Sequence, residues 1–304
     1  MKTNALSLKP SRRQSRGRES FAAKHFARSR GGNFFFMLLL AFTGAFLALP
    51  LVYAAMAAFK PIDEIFIFPP QLLVRNPTWD NFIDLMTLCA NSWVPFSKYL
   101  FNSLFVTLAA TGGHVILSSA CAYPLAKNDF PGKNVLFKIV VVALMFVPQV
   151  TFLPQYLIIA KLNMVDTYWA MILPPIGAAL GVFLMKQFIE QLPTAILEAA
   201  RIDGCSEFRI FRLIVMPNVK PAWLTLVIFT FQSVWNNTTS QQFVFQEGLR
   251  TLPTMMQQFA TGSTIARAGV SAASSLFLML PPILLFIALQ SRVVETMSFA
   301  AIKE

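Results

Sequence analysis

The chain has 304 residues, of which 56% are hydrophobic and only 13% are charged, and its formal net charge is +11. A soluble domain usually carries about a quarter charged residues because its surface faces water. A mean hydropathy of +0.58 therefore argues against an ordinary soluble globular protein. The three cysteines are scattered without a CxxC pair, which argues against a disulfide framework or a metal site.

Residues 1–32 form a basic tail, which we expect to be poorly ordered and cytoplasmic. A basic tail on a membrane protein usually serves orientation and contact with anionic lipid, so we expect membrane lipid rather than nucleic acid as its partner. The first hydrophobic run follows the tail and has about 27 residues, which is too long for the apolar region of a secretory signal peptide.

Six runs of about 20 or more residues are nearly free of charge, and each is long enough to cross the hydrocarbon core of a bilayer. They are Asn33–Phe59, Tyr99–Ala126, Val135–Ala160, Thr167–Phe188, Pro221–Ser240 and Val270–Ser291. Backbone polar groups in lipid must be satisfied within the segment, and the alternation of barrel strands is absent. The sequence predicts an all-α membrane protein, a six-helix transmembrane bundle over residues 33–304.

Several prolines lie inside these runs, among them Pro148, Pro154, Pro174 and Pro175. Proline removes a backbone hydrogen bond and kinks or breaks a helix. Neighbouring helices must then supply hydrogen-bond partners for the freed backbone groups, which predicts a packed bundle rather than isolated membrane anchors.

The basic residues predict the orientation of the bundle. If the N-terminus is cytoplasmic, the outer side holds only Lys60, Arg75, Lys98, Lys161, Arg250 and Arg267 of the 25 Lys and Arg residues. This asymmetry satisfies the positive-inside rule. We therefore expect a multi-pass protein of the cytoplasmic membrane with both termini in the cytoplasm.

No catalytic motif accompanies the spans. The sequence has no GxxxxGK[ST], no HExxH and no GxSxG, and its only histidines are His25 and His114. We expect a non-catalytic chain with no cofactor and no metal of its own, whose energy source is a partner.

The long charged loop at about residues 189–220, between the fourth and fifth runs, predicts a helix, a turn and a second helix. Thr194 is suited to cap the first helix, Gly204 to end it, and Ser206 to cap the second. In the second helix, Phe208, Phe211 and Val215 recur at spacings of three and four. Shape alone leaves open a passive amphipathic hairpin on the lipid headgroups.

Particular residues of this loop resemble the EAA loop of ABC-importer permeases: Glu198-Ala199-Ala200, then Asp203-Gly204, then Pro217. The likeness extends to Asn102-Ser103-Leu104, Ala122-Tyr123-Pro124-Leu125-Ala126, Pro154-Gln155-Tyr156, Trp235-Asn236 and Arg250-Thr251-Leu252-Pro253. These segments are similar to sugar-uptake permeases, most of all to the MalG-like subunit of maltose-type importers.

The resemblance implies a fold of the type I ABC importer permease kind and three kinds of partner. These are a second homologous permease, two ATPase subunits that carry ATP and Mg²⁺, and an extracytoplasmic solute-binding protein. It also implies that the loop docks on an ATPase subunit and switches the bundle by alternating access. The docking residues would be Glu198, Ala199, Ala200, Ile202, Asp203, Gly204, Phe208 and Pro217.

Polar residues within the runs are candidates for the substrate path: Gln149, Gln232, Asn236 and Asn237. Such groups usually face the bundle interior and can bind sugar hydroxyls, but they can equally join helices to one another. By resemblance, the loop from Gln241 to Gly269 meets the binding protein, through Arg250, Thr251, Leu252 and Pro253. The chain departs from the family at Thr238–Gln242, which leaves the end of the fifth span open.

The expected function is that of a permease subunit for a sugar, in particular an oligosaccharide. A polyol, a glycerol phosphate or an acidic sugar is the alternative solute. A secondary transporter is a further alternative, but it would more often carry acidic residues within the membrane for ion coupling. None of the six runs contains Asp or Glu.

Overall fold

Helices form every regular element in the part of the chain that the structure describes. The structure is a computed structural model, and it describes residues 30–90, 92–260 and 267–301. The predicted basic tail lies outside these residues, except for Arg30–Gly32 at the start of the first helix.

The α-helices follow one another in this order: α1 (Arg30–Ala58), α2 (Ile62–Ile65), α3 (Asp80–Ala90), α4 (Phe96–Lys127), α5 (Lys133–Ala143), α6 (Pro148–Lys161), α7 (Tyr168–Ile176), α8 (Ala179–Glu190), α9 (Thr194–Ile202), α10 (Glu207–Ile210), α11 (Met216–Asn218), α12 (Lys220–Trp235), α13 (Leu252–Ala260) and α14 (Ala268–Ala301). A π-helical turn, Phe211–Val215, joins α10 to α11. Two 3₁₀ turns, Thr239–Gln242 and Glu247–Leu249, separate α12 from α13.

Four helical stretches are long and apolar enough to cross a membrane: Phe34–Ala58, Phe96–Lys127, Tyr168–Glu190 and Ala268–Gln290. Two further pairs qualify when each bent pair counts as one span. The predicted six-span, all-α architecture is confirmed on that count. In α1, large apolar side chains are exposed along the helix from Phe34 to Val52, as expected of a surface that meets lipid tails.

The third predicted span is not one continuous helix, which corrects the prediction for Val135–Ala160. Its two halves, α5 and α6, meet at an angle of 111°. Pro148 takes the first helical position of α6, where its missing N–H costs nothing. Val147, the residue before this proline, is extended, as the proline ring requires. The break therefore follows from the proline.

The fourth and fifth spans also differ in detail from the prediction. Pro174 and Pro175 lie in the last turn of α7, and the chain restarts as α8 after Gly177 and Ala178. The fifth span, α12, ends at Trp235 rather than at Ser240. Asn237 turns the chain there, because its Oδ1 accepts a 2.8 Å hydrogen bond from the backbone N–H of Thr239.

The central helix is α4, which packs against α7, α8 and α12. The approach to α8 is close at Gly181, because a Cβ atom there would overlap the side chains of Ser118 and His114. His114 is 1% exposed and donates from Nδ1 to the backbone oxygen of Ile176 at 2.9 Å. His114 therefore joins two helices, as small-residue contacts and polar bonds do in membrane bundles.

Candidate functional site

A helical hairpin, Thr194–Asn218, occupies the predicted position between the fourth and fifth spans, and we call it the docking hairpin. Its first helix ends at Gly204, whose φ of +80° is the left-handed conformation that glycine adopts without strain. The N–H of Cys205 bonds to the oxygen of Ala200, and the N–H of Gly204 to that of Arg201, each at 3.0 Å. This pair of bonds is a Schellman motif, so the predicted helix end is confirmed.

The predicted N-terminal caps need correction. Pro193 holds the N-cap position of α9 and Thr194 is the first helical residue, so Thr194 is not the cap. Ser206 does hold the N-cap position of α10, but its side chain makes no capping hydrogen bond.

The eight predicted docking residues divide between a surface and a core. Ile202 and Phe208 are 87% and 71% exposed, and five other residues are also exposed: Glu198, Ala199, Asp203, Gly204 and Pro217. Ala200 instead is 7% exposed and packs with the core. Adjacent residues of an α-helix point about 100° apart, so Ala199 and Ala200 cannot share one face. Ala200 therefore belongs to the core at the base of the hairpin, and Ala199 to its exposed surface.

The second half of the hairpin buries a stripe that agrees with the predicted periodicity at Val215 but not at Phe208. Ile210, Val215 and Val219 are at most 1% exposed, whereas Phe208 points outward. The π-helical turn at Phe211–Val215 inserts an extra residue and shifts the helical register. With this stripe, the base of the hairpin packs against α4, α8 and α12.

One carboxylate links the two helices of the hairpin to the central helix, and sequence reasoning missed it. Glu207 accepts a 2.7 Å bond from Arg201 Nε to Oε1 and a 2.7 Å bond from the Tyr123 hydroxyl to Oε2. These hydrogen bonds lower the pKa of Glu207, and the bond to Glu207 raises the pKa of Arg201. No local signal predicts the contact with Tyr123, because that residue lies 84 positions away.

A cavity of about 430 Å³ opens beside the break between α5 and α6. Its polar lining comes from His114, Thr151, Gln155, Thr230, Ser233 and Asn237. Its aromatic lining comes from Phe146, Phe229 and Phe243. The lining residues include no Asp, Glu, Lys or Arg, so the cavity suits an uncharged polar ligand better than an ion.

The four predicted path residues lie in different places. Asn237 lines the cavity, whereas Gln149 and Gln232 are exposed and do not line it. Asn236 lines a separate pocket of about 240 Å³ with Ser271 and Ser274.

The predicted binding-protein residues form part of an anchored outer loop. The Asn102 amide donates to the backbone oxygens of Gly248 and Arg250, at 2.9 and 3.0 Å. Ser103 Oγ accepts from the N–H of Leu252 at 2.6 Å. Thr251, Leu252 and Pro253 are buried, and only Arg250 of the four is partly exposed.

Comparisons with known proteins agree with this geometry. The family described as "Binding-protein-dependent transport system inner membrane component" matches residues 21–298. The arabinooligosaccharides transport system permease protein AraQ of Halalkalibacterium halodurans is 32% identical over 271 residues, 85% of this chain and 92% of that protein. The sn-glycerol-3-phosphate transport system permease protein UgpE of Pectobacterium atrosepticum is 32% identical over 244 residues, 79% of this chain and 87% of that protein.

A solved structure shares the fold. It is the crystal structure of a bacterial ABC transporter involved in the import of the acidic polysaccharide alginate, with a TM-score of 0.73 and 19% sequence identity. The match covers 86% of this chain and 98% of that chain. The predicted fold of the ABC importer permease kind is thereby confirmed.

Proposed function

The chain belongs to the binding-protein-dependent transport system inner membrane component family, and we propose that, with a second permease subunit, it forms the path by which an oligosaccharide crosses the cytoplasmic membrane. It is a non-catalytic permease subunit of an ATP-driven importer. On this proposal, two ATPase subunits carry ATP and Mg²⁺, and an extracytoplasmic solute-binding protein delivers the sugar.

The docking hairpin is the observation that carries the proposal. Its tip exposes Ile202 and Phe208 next to charged side chains, and exposed apolar groups of this size are typical of a surface that meets another protein. We propose that the exposed docking residues, Glu198 and Gly204 among them, enter a cleft of one ATPase subunit. Because the base of the hairpin packs against three helices of the bundle, a displacement of its tip would move the bundle as a rigid body.

The orientation follows from the same assignment. An ATPase is cytoplasmic, so the docking hairpin lies on the inner side and the loop with Arg250 lies on the outer side. Both termini are then cytoplasmic, which agrees with the excess of basic residues on that side. The outer loop would then face the binding protein. Arg250 would make the contact, because it is the one residue of the four predicted for this contact that is partly exposed.

The identity of the solute rests on the relatives. The arabinooligosaccharide permease supports a neutral oligosaccharide. The sn-glycerol-3-phosphate permease favours a second candidate, a phosphorylated small polyol. The uncharged lining of the cavity supports the first of the two.

Deletion of the gene in its native host, followed by uptake of labelled solutes, tests the proposal. We expect loss of uptake of a neutral oligosaccharide, restored by the wild-type chain. The chain should also co-purify with an ATPase subunit in mild detergent. Retention of all uptake in the deletion strain, together with purification of the chain alone, would overturn the proposal.

A further inference from the structure

Two short stripes of polar side chains, carried by different spans, line the cavity of about 430 Å³. On α6, Thr151 and Gln155 are one helical turn apart and therefore share a face. On α12, Thr230 and Ser233 are three residues apart and also share a face, and Asn237 lines the cavity just after this helix ends. The cavity therefore has two polar walls on different spans rather than a scatter of polar residues.

Three of these side chains lack a hydrogen-bond partner within the described part of the protein: Gln155, Thr230 and Ser233. Serine and threonine in helices commonly bond back to a carbonyl one turn earlier. Thr225, also on α12, does so, donating to the backbone oxygen of Pro221 at 2.8 Å. Thr230 and Ser233 do not, although they lie only a few residues further along. Thr230 is also buried, and a buried polar group is costly unless something satisfies it, which points to a ligand.

Two of the helix breaks of the bundle border this space. Phe146 lies in the break between α5 and α6, and Ala178 in the break between α7 and α8, and both line the cavity. Irregular backbone at membrane depth is tolerated where it lines a cavity, and broken helices mark the binding sites of many transporters. The position of the cavity beside broken helices and its polar, uncharged lining thus both support a ligand-binding site.

We propose that this chain itself holds a neutral sugar ring in the cavity during transport. The polar stripes would bind sugar hydroxyls, while Phe146, Phe229 and Phe243 would pack against the apolar faces of the ring. A volume of about 430 Å³ lies within the range of roughly 300–1,000 Å³ found for small-molecule sites. The absence of charged lining residues selects against phosphorylated and acidic solutes. This inference rests on the proposed transport function and adds to it a site and a class of ligand.

Isosteric substitutions on α12 test the site in the assembled transporter. Thr230→Val removes a hydroxyl that faces the cavity, whereas Thr225→Val removes one that is already bonded within the helix. Each lost sugar hydrogen bond is expected to raise the KM for uptake roughly three- to tenfold. We expect that increase for Thr230→Val, Ser233→Ala and Gln155→Met, and no change for Thr225→Val. Binding-protein-stimulated ATPase activity should stay intact in all four variants, which shows that the complex has assembled.

A second measurement does not depend on the rate of uptake. In a background with Cys121→Ser and Cys205→Ser, which removes the two accessible thiols, Ser233→Cys places a thiol in the cavity. A neutral oligosaccharide should protect this thiol from a small thiol-reactive reagent, and sn-glycerol 3-phosphate should not.

The possible outcomes separate the inference from the proposed function. If the wild-type chain takes up a neutral oligosaccharide but the cavity variants match Thr225→Val and the thiol is unprotected, the site is wrong and the transport function stands. If the wild-type transporter accepts only charged solutes, the neutral class of ligand is wrong. If no solute depends on the chain, the proposed function itself fails.

Discussion

The hydroxyl of Tyr123, near the end of α4, donates a 2.7 Å hydrogen bond to Glu207 of the docking hairpin. The same carboxylate accepts a 2.7 Å bond from Arg201, in the other helix of the hairpin. A single side chain thus joins both helices of the hairpin to the central helix of the bundle. If the hairpin tip moves as proposed, its movement would be transmitted through these polar bonds as well as through the apolar base.

Tyr123→Phe should reduce uptake severalfold without changing the amount of chain in the membrane. The substitution removes one hydrogen bond to a charged group and leaves the ring in place. Glu207 is partly exposed, so we expect a cost at the low end of about 0.5–1.5 kcal/mol. Uptake per membrane-inserted chain is the measurement.

A matched control is Asp129→Asn, which breaks the surface ion pair with Lys133. Exposed pairs of this kind contribute little, so uptake should stay unchanged. Equal uptake by Tyr123→Phe and the wild-type chain would falsify the role of Glu207 as a link.

Gly204→Ala should impair transport more than Gly204→Asn does. Gly204 has a φ of +80°, and a Cβ atom there would meet no other atom within 4 Å. The cost is therefore conformational, about 1–2 kcal/mol for alanine and less for asparagine, which tolerates the left-handed region. Gly112→Ala is the control, since Gly112 lies within α4 and also has open space around it. If Gly204→Ala transports normally, the hairpin does not require its tight turn.

The sequence alone predicts the spans well because hydropathy measures what the bilayer selects. It does not predict helix rotation. Polarity alone predicts Gln232 as a path residue on α12, yet the face of this helix that lines the cavity is that of Thr230 and Ser233. A shift of one or two residues along a helix rotates the direction in which the side chain points by about 100–200°. Only packing against the neighbouring helices fixes which face of the helix turns inward.

The remaining differences arise from long-range contacts. The burial of Ala200 depends on packing against α8 and α12, which the local pattern of the loop does not contain. The link between Tyr123 and Glu207 likewise joins distant positions. The break at Pro148 was indicated by the proline itself, but its angle of 111° is set by the tertiary structure.

Gly181→Ala should destabilise the contact between α4 and α8. A methyl group there would overlap Ser118 Oγ and His114 Nε2, and both of these side chains are almost fully buried. Overpacking of this kind costs about 1–3 kcal/mol. Thermal unfolding in detergent should show a lower midpoint than for the wild-type chain, whereas Gly112→Ala should not. An unchanged midpoint would mean that the two helices are free to separate at this point.

Asn102→Ala should loosen the outer loop. The amide of Asn102 is 0% exposed and serves the backbone oxygens of both Gly248 and Arg250. Both acceptors are half-buried, so leaving each without its donor costs at the low end of about 1–3 kcal/mol. Limited proteolysis of the solubilised protein should cut this loop faster than in the wild-type chain. Thr87→Ala is the control, because Thr87 is exposed and bonds only within its own helix. Equal cleavage rates in Asn102→Ala and the wild-type chain would show that the loop is held by its apolar contacts alone.

Phe208→Ser should weaken the association with the ATPase subunit. Phe208 is 71% exposed on the docking hairpin, and its loss removes apolar area from the proposed interface without touching the core. Phe68→Ser is a matched control, since Phe68 is 92% exposed in the loop that we assign to the outer side. The fraction of chain that co-purifies with the ATPase subunit should fall for Phe208→Ser only. If Phe68→Ser lowers it and Phe208→Ser does not, the orientation is inverted, because a cytoplasmic ATPase cannot reach both loops.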